Sequence, residues 1–128
     1  MNKMLNLITP FVILCSITAC RTVTTSIDAD LFEKTLYQTP NAQLIDVRTF
    51  EEYQEGHLVN ARLIDIRRTT FEAQIQQLDR ERPVFVYCRS GRRSLDAAKI
   101  LENNNFKVVY NLAGGIIEWK EKGKAVEF

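Results

Sequence analysis

Short apolar runs alternate along the chain with stretches whose apolar residues recur at helical spacing. The clearest run is VFVY at residues 84–87, directly after Pro83. A short continuous apolar run bounded by a turn residue is typical of a buried strand. Similar runs predict further strands over residues 42–47, 61–66 and 107–112.

The stretches between these runs predict helices. Phe71, Ile75 and Leu78 stand at i, i+4 and i+7, which places them on one face of a helix over residues 70–78. Other helices are expected from Asp28, the N-cap, to before Pro40, over 49–54, over 93–103, and from Gly114-Gly115 through Trp119. The residues expected to face inward are Leu31, Phe32, Thr35 and Leu36 in the first helix, and Leu95, Ala98 and Leu101 in the helix at 93–103.

This succession of elements predicts the fold class. Strands that alternate with helices indicate an α/β domain with a mainly parallel sheet. Ligand sites in such sheets lie beyond the carboxyl ends of the strands. Cys88 directly follows the strand at 84–87 and therefore stands at such an end.

Length and charge narrow the class of protein. A chain of 128 residues with 45% hydrophobic content fits one domain with a real core. Lys3 is the single charged residue of the first nineteen, so the remainder carries 16 basic and 16 acidic side chains. A neutral domain argues against nucleic acid as a partner, because nucleic-acid binding needs a clustered basic surface.

The first twenty residues, MNKMLNLITPFVILCSITAC, have the features of a targeting segment. Lys3 precedes an apolar stretch, residues 5–14, which is too short to span a bilayer comfortably. Ile17-Thr18-Ala19-Cys20 then resembles a bacterial lipobox. The resemblance implies a lipoprotein signal peptide at 1–19, a lipidated Cys20 with a short polar tether at 20–27, and the domain at 28–128. An ordinary signal peptide cut near Ala19 and an uncleaved anchor are the alternatives.

Lipidation would determine where the protein resides. Several acyl chains on Cys20 would anchor the exported domain stably to a membrane. Arg21 follows Cys20, where the inner-membrane retention rule of some Gram-negative lipoproteins favours Asp. In a Gram-negative organism we therefore expect the periplasmic side of the outer membrane.

Cys88 is then the remaining free thiol of the mature chain, because Cys15 leaves with the signal peptide. Arg89, Arg92 and Arg93 follow it within five residues. A loop between a strand and a helix can turn its backbone N–H groups inward as an anion-binding nest, and the helix N-terminus adds partial positive charge. These surroundings favour a thiolate and attract an anion to it. The alternative is a core cysteine that ends a strand beside solvated arginines.

Three segments in order resemble a single-domain rhodanese, a thiosulfate-type sulfurtransferase. They are LIDVRTFEEYQEGHLVNA at 44–61, VFVYCRSGRRS at 84–94 and NLAGGIIEWK at 111–120. The resemblance implies a rhodanese-like α/β fold, in which a mainly parallel central sheet of about five strands has helices on both faces.

The resemblance also implies roles for individual residues. Cys88 would be the nucleophile that becomes a persulfide, within a loop that cradles the sulfur through backbone amides. Asp46 and Arg48 would support the site, Trp119 would pack the core, and His57 would be mainly structural. The loop residues are Arg89, Ser90, Gly91, Arg92 and Arg93. The expected partners are a small anionic sulfur donor and a thiol or cyanide acceptor, with no cofactor, no metal and a monomer favoured.

Two positions depart from the family pattern. Asn60 stands where the family usually has Gly, and Val59 where it often has Pro, so the resemblance does not determine the exact shape of the turn after His57.

Other readings of the thiol remain open. In one, Cys88 relays sulfur to a protein partner, and thiosulfate is a poor donor. A Cys-dependent phosphatase or arsenate reductase is disfavoured, because Arg93 comes one residue earlier than the arginine of the Cys-x5-Arg loop. A thiol–disulfide oxidoreductase would need a second nearby cysteine.

Overall fold

A five-stranded parallel sheet forms the centre of the computed structural model, which describes residues 10–16 and 21–128. The sheet order is β1-β6-β5-β2-β4, and a separate antiparallel pair joins β3 to β7. In chain order the elements are β1 (Val23–Ile27), α1 (Ala29–Gln38), β2 (Gln43–Asp46), α2 (Phe50–Gln54), β3 (His57–Leu58), β4 (Arg62–Leu63), α3 (Phe71–Ile75), β5 (Val84–Tyr87), α4 (Arg92–Asn103), β6 (Val108–Leu112), α5 (Gly115–Glu121) and β7 (Val126–Glu127).

The central strand β5 divides its side chains between two cores. Val84 and Val86 pack with α3 and α4 on one face, whereas Phe85 and Tyr87 pack with α1 and α5 on the other. All four side chains are fully buried. Successive residues of a strand point to opposite faces, so a continuous apolar run is what a sheet covered on both sides requires. The predicted α/β fold with helices on both faces is confirmed.

The helix starts follow the predicted chemistry, and Phe32, Ala98 and Leu101 are buried as predicted, but two other residues expected to face inward are exposed. Asp28 caps α1 by accepting the Leu31 N–H at 2.9 Å. Leu31 and Leu95 are 47% and 43% exposed, respectively. In α4 the buried residues Ser94, Ala97, Ala98 and Leu101 define the face, and Leu95 lies about 100° around the helix from Ser94.

The predicted tether at 20–27 is wrong over residues 23–27, which form the edge strand β1. β1 runs parallel to β6 in continuous register, from Val23 opposite Val108 to Ile27 opposite Leu112. The run VTTSI has a polar composition because only part of an edge strand is covered, and Ile27 alone among its residues is buried. Its β-branched residues nonetheless suit an extended strand.

The shortest elements were either missed or predicted to be longer than they are. β4 covers two of the six residues predicted as a strand, and β3 and β7 have two residues each. The turn between β3 and β4 keeps a glycine-like shape, since Asn60 adopts φ +66°, a conformation that Asn tolerates better than most residues.

The predicted signal peptide lies largely outside the described residues, and so does Cys20. Within residues 10–16 and 21–128, no helix has the length and apolar content that crossing a bilayer requires.

Candidate active site

Cys88 occupies the start of a tight loop between β5 and α4, at the carboxyl end of the central strand. Its Sγ accepts the backbone N–H of Gly91 at 3.0 Å and the Ser94 hydroxyl at 3.3 Å. The residue is only 1% exposed. The loop therefore surrounds the sulfur with hydrogen-bond donors and leaves it a narrow contact with solvent.

Helix α5 holds this loop from behind. The N–H of Ile116 donates to the carbonyl of Cys88 at 2.9 Å, and that of Ile117 donates to the carbonyl of Arg89 at 3.2 Å. These carbonyls point toward α5, so the loop's amide groups are left to face the sulfur. Gly115 begins α5 at φ +62°, and a Cβ there would lie 2.2 Å from the Arg89 carbonyl oxygen.

Gly91 is required by both its conformation and its surroundings. It adopts φ +99°, which L side chains rarely tolerate, and a Cβ would lie 2.1 Å from the Ala113 carbonyl oxygen. A residue with a side chain at this position would therefore strain the turn.

Two opposing influences act on the Cys88 thiol. Burial by itself raises the pKa of Cys88, because the thiolate loses water. Hydrogen bonds from the Ser94 hydroxyl, and then from the backbone amides of Ser94, Gly91 and Ser90, lower the pKa by more, so the net shift is downward. The strongest support for a thiolate therefore comes from a hydroxyl and amides rather than from the arginine side chains.

The three arginines of the loop have different surroundings. Arg89 and Arg92 are exposed. Arg93 is half-buried and binds Glu52 through two parallel hydrogen bonds of 2.8 Å. The Arg93 side chain also lowers the pKa of Glu52 to about 2. Its positive charge is thus largely matched, and Arg89 and Arg92 remain open to an anion.

Asp46 and Arg48 form a buried network beside the loop. Arg48 Nη2 lies 2.7 Å from Asp46 Oδ2 and donates to the Gly56 carbonyl at 2.8 Å. The Tyr87 hydroxyl donates to Asp46 at 2.6 Å and accepts the Leu58 N–H at 3.0 Å. Burial, followed by the charge of Asp46, raises the pKa of Tyr87. The network ties the ends of β2 and β5 to β3.

His57 makes its contacts away from the Cys88 loop. Its ring stacks on Tyr53 with centroids 3.6 Å apart, Nδ1 lies 2.9 Å from the Tyr53 carbonyl, and Nε2 lies 3.4 Å from Glu127. Trp119 donates to the Ala125 carbonyl at 2.9 Å and packs edge-on against Phe32. Both side chains hold the C-terminal segment in place.

A cleft of about 350 Å³ opens beside the loop. Two of its lining residues adjoin Cys88 directly: Arg89 follows it in the chain, and Ile116 donates to its carbonyl. The full lining is Arg48, Glu52, Glu55, Arg89, Ile116, Ile117 and Lys120.

Sequence reasoning missed three residues that shape this site: Ser94, Glu52 and Gly115. Ser94 was recognisable from its place, six residues after Cys88 in the first turn of a helix, where a small hydroxyl can face the loop. The capping-box pattern of Thr49 and Glu52 was also readable, but it does not reveal that Glu52 binds Arg93.

The chain is similar to curated proteins over about two thirds of its length. It is 38% identical over 84 residues to the Bacillus subtilis protein YqhL, a match covering 66% of this chain and 65% of that protein. It is 36% identical over 91 residues to the tRNA uridine(34) hydroxylase of Yersinia pestis, covering 66% of this chain but 25% of that protein. The chain thus spans less than two thirds of either relative.

Solved structures share the fold over a larger part of the chain. A rhodanese-like domain protein from Staphylococcus aureus has a TM-score of 0.68 at 29% identity, covering 81% of this chain and 99% of that one. The polysulfide-sulfur transferase of Wolinella succinogenes has a TM-score of 0.69 at 30% identity, covering 81% and 78%. Residues 28–122 match the family described as Rhodanese-like domain. The chain therefore belongs to the rhodanese-like family.

Proposed function

We propose that this protein is a sulfurtransferase that moves sulfane sulfur from thiosulfate or a related donor to a thiophilic acceptor through a persulfide on Cys88. The observation that carries the proposal is the surrounding of the Cys88 sulfur: hydrogen bonds from Gly91 and Ser94 that together lower the pKa of the thiol. The thiolate, not the thiol, is the nucleophile.

In the first half-reaction the Cys88 thiolate attacks the outer sulfur of thiosulfate. The new S–S bond forms at Cys88 while the S–S bond of the donor breaks, and sulfite leaves with the bonding electron pair. Charge is conserved, because the thiolate and the dianion become a persulfide anion and sulfite. The amides that face the thiolate then face the persulfide, and the exposed Arg89 and Arg92 draw the anionic donor to the loop.

In the second half-reaction a nucleophilic acceptor attacks the outer sulfur of the persulfide. Cyanide would leave as thiocyanate, and a thiolate would leave as a persulfide. Cys88 returns as a thiolate, which completes a ping-pong cycle of covalent catalysis.

A persulfide relay is the second candidate. The Wolinella relative is named as a polysulfide-sulfur transferase, which supports donors other than thiosulfate. The cleft beside Cys88 is also larger than a small inorganic anion needs. The Yersinia relative is named as a hydroxylase, but this chain covers only a quarter of that protein. The name therefore adds no activity to the proposal.

Intact mass spectrometry tests the proposal on the full chain purified in detergent. The reduced protein receives thiosulfate and then cyanide, with Cys88→Ser treated in parallel. We expect the gain of one sulfur atom, its removal by cyanide, and neither change in the variant. A folded protein that gains no sulfur from thiosulfate or from persulfide donors would refute the proposal, and arsenate and phosphate esters would be the next substrates.

We also propose that Cys20 is lipidated and that the domain is exported and held at a membrane, on the periplasmic side of the outer membrane in a Gram-negative organism. Arg21 and Thr22 alone would separate Cys20 from β1, so the start of β1 would lie within about 11 Å of the anchor. Labelling of the full chain with radioactive palmitate in a bacterial host tests this, and Cys20→Ser should abolish incorporation. Equal labelling of the variant would refute lipidation at Cys20.

A further inference from the structure

The cleft beside Cys88 carries charges of both signs, and some of them are already matched. Arg48 is paired with the buried Asp46, and Glu52 is paired with Arg93. These two pairs leave little net charge in the wall. What the cleft offers a ligand is therefore decided by its remaining charged side chains.

Three charged residues of the lining remain: Arg89, Glu55 and Lys120. Within the part of the chain that the structure describes, none of the three has an ion pair within 4.0 Å or a side-chain hydrogen bond. Their positions are distinct. Arg89 stands next to Cys88, whereas Lys120 lies over Gly56, the residue that follows Glu55.

The lining also has an apolar part, and the thiol lies deep. Ile116 and Ile117 lie in the cleft wall and connect to the loop through their backbone N–H groups. Cys88 itself is 1% exposed and is not part of the lining. The part of a donor that carries the sulfur must therefore be narrow enough to reach Cys88, while the rest of the molecule stays in the cleft.

We propose that this cleft selects a zwitterionic organic persulfide, a donor with a carboxylate and an ammonium group at one end and the sulfane sulfur at the other. This inference rests on the proposed function and names its donor class. Lys120 binds the carboxylate, Glu55 binds the ammonium group, Arg89 lies next to the sulfur end, and the isoleucines contact the carbon chain. Thiosulfate has no group for Glu55, whose negative charge repels a dianion.

The transfer step balances without any further reactant. The Cys88 thiolate attacks the outer sulfur of the protonated persulfide, a new S–S bond forms at Cys88, and the S–S bond of the donor breaks. The donor leaves as a thiolate, which takes a proton from water, and the transferred sulfur keeps its own proton. The Cys88 sulfur is oxidised, and the thiol sulfur of the donor is reduced.

A set of four donors tests the proposal on the full chain in detergent. Cysteine persulfide has both charges, mercaptopropionate persulfide lacks the ammonium group, cysteamine persulfide lacks the carboxylate, and thiosulfate is the inorganic reference. We expect the highest kcat/KM for cysteine persulfide, with a loss of about fivefold for each missing charge, as for one partly exposed ion pair. The loss should lie in KM, because binding at the remote end is the same before and during transfer.

Two variants assign the charges to residues. Lys120→Ala should lower kcat/KM by about three- to fivefold for the two donors with a carboxylate and leave cysteamine persulfide unchanged. Glu55→Gln should lower kcat/KM similarly for the two donors with an ammonium group, but it should not lower kcat/KM for mercaptopropionate persulfide. The matched controls, Lys99→Ala on α4 and Glu72→Gln on α3, remove exposed charges outside the cleft and should change no donor.

Different outcomes of these experiments test the donor class and the proposed function separately. Equal rates for the three organic donors, or a preference for thiosulfate over cysteine persulfide, would overturn the donor class while Cys88 still gains sulfur. If no donor places sulfur on Cys88, the proposed function fails, and this inference fails with it.

Discussion

Two carboxylate–guanidinium pairs flank the Cys88 loop, and they differ in how much water reaches them. The side chains of Arg48 and Asp46 are 5% and 0% exposed, whereas those of Arg93 and Glu52 are 21% and 25% exposed. The side chains of the buried pair form hydrogen bonds with each other and with other buried groups of the core. Each pair contributes one residue to the cleft wall, Arg48 and Glu52, but the charge of Cys88 acts on the Arg93 guanidinium of the half-buried pair. We therefore expect unequal consequences: loss of the first pair should destabilise the fold, and loss of the second should change the charge near the thiol.

Breaking the buried pair should have the largest effect. Arg48→Ala leaves the Asp46 carboxylate buried without a cation, which we expect to lower the free energy of unfolding by about 3–5 kcal/mol. Urea denaturation of the full chain in detergent measures this loss. Arg92→Ala, which removes an exposed arginine near Cys88, should change the free energy of unfolding by about 0.5 kcal/mol or less. Similar losses for both variants would contradict the distinction drawn from burial.

A third group, the Ser94 hydroxyl, lowers the pKa of Cys88 without belonging to either pair. Ser94→Ala removes the 3.3 Å hydrogen bond to the sulfur, so the pKa of Cys88 should rise. Alkylation of Cys88 by iodoacetamide near neutral pH should slow on the order of tenfold, as for loss of one hydrogen bond to a charged group.

The pH profile distinguishes this from a loss of folding. The alkylation curve of Ser94→Ala should move to higher pH and reach the wild-type rate at its plateau. A lower plateau at unchanged midpoint would mean that Ser94 shapes access to the thiol and not its ionisation.

The same contrast explains what could be predicted from the sequence. The strand at 84–87 and the turn at Gly91 were predictable, because burial on both faces and a positive φ restrict the residue types at those positions. The pairing of Arg93 with Glu52 was not, since the partners are 41 residues apart and both are of a type that usually faces water. β1 was missed for a related reason: a partly exposed edge strand has the composition of a linker.

Acid should weaken the half-buried pair before it unfolds the core. The pKa of Glu52 is about 2 in the folded protein against an ordinary 4.5, so the pair stabilises the folded state fully above pH 4.5. This contribution is lost as pH falls from 4.5 toward 2, because the unfolded chain binds the proton more readily. For a half-buried pair we expect the loss to be about 1 kcal/mol. Urea denaturation at a series of pH values should show it, and Glu52→Gln should lack that part of the acid slope.

The effect of removing the Glu52 charge on catalysis should be the smallest of these effects. Glu52→Gln keeps a side chain that can complete the capping box with Thr49, but it leaves the charge of Arg93 unmatched beside the cleft. An additional positive charge should raise kcat/KM for the dianion thiosulfate about threefold and also lower the pKa of Cys88. Glu51→Gln, one residue earlier on the exposed side of α2, should change neither quantity. If thiosulfate kinetics do not respond to Glu52→Gln, then the pair only joins α2 to α4, and the charge of the cleft is set by Glu55, Arg89 and Lys120 alone.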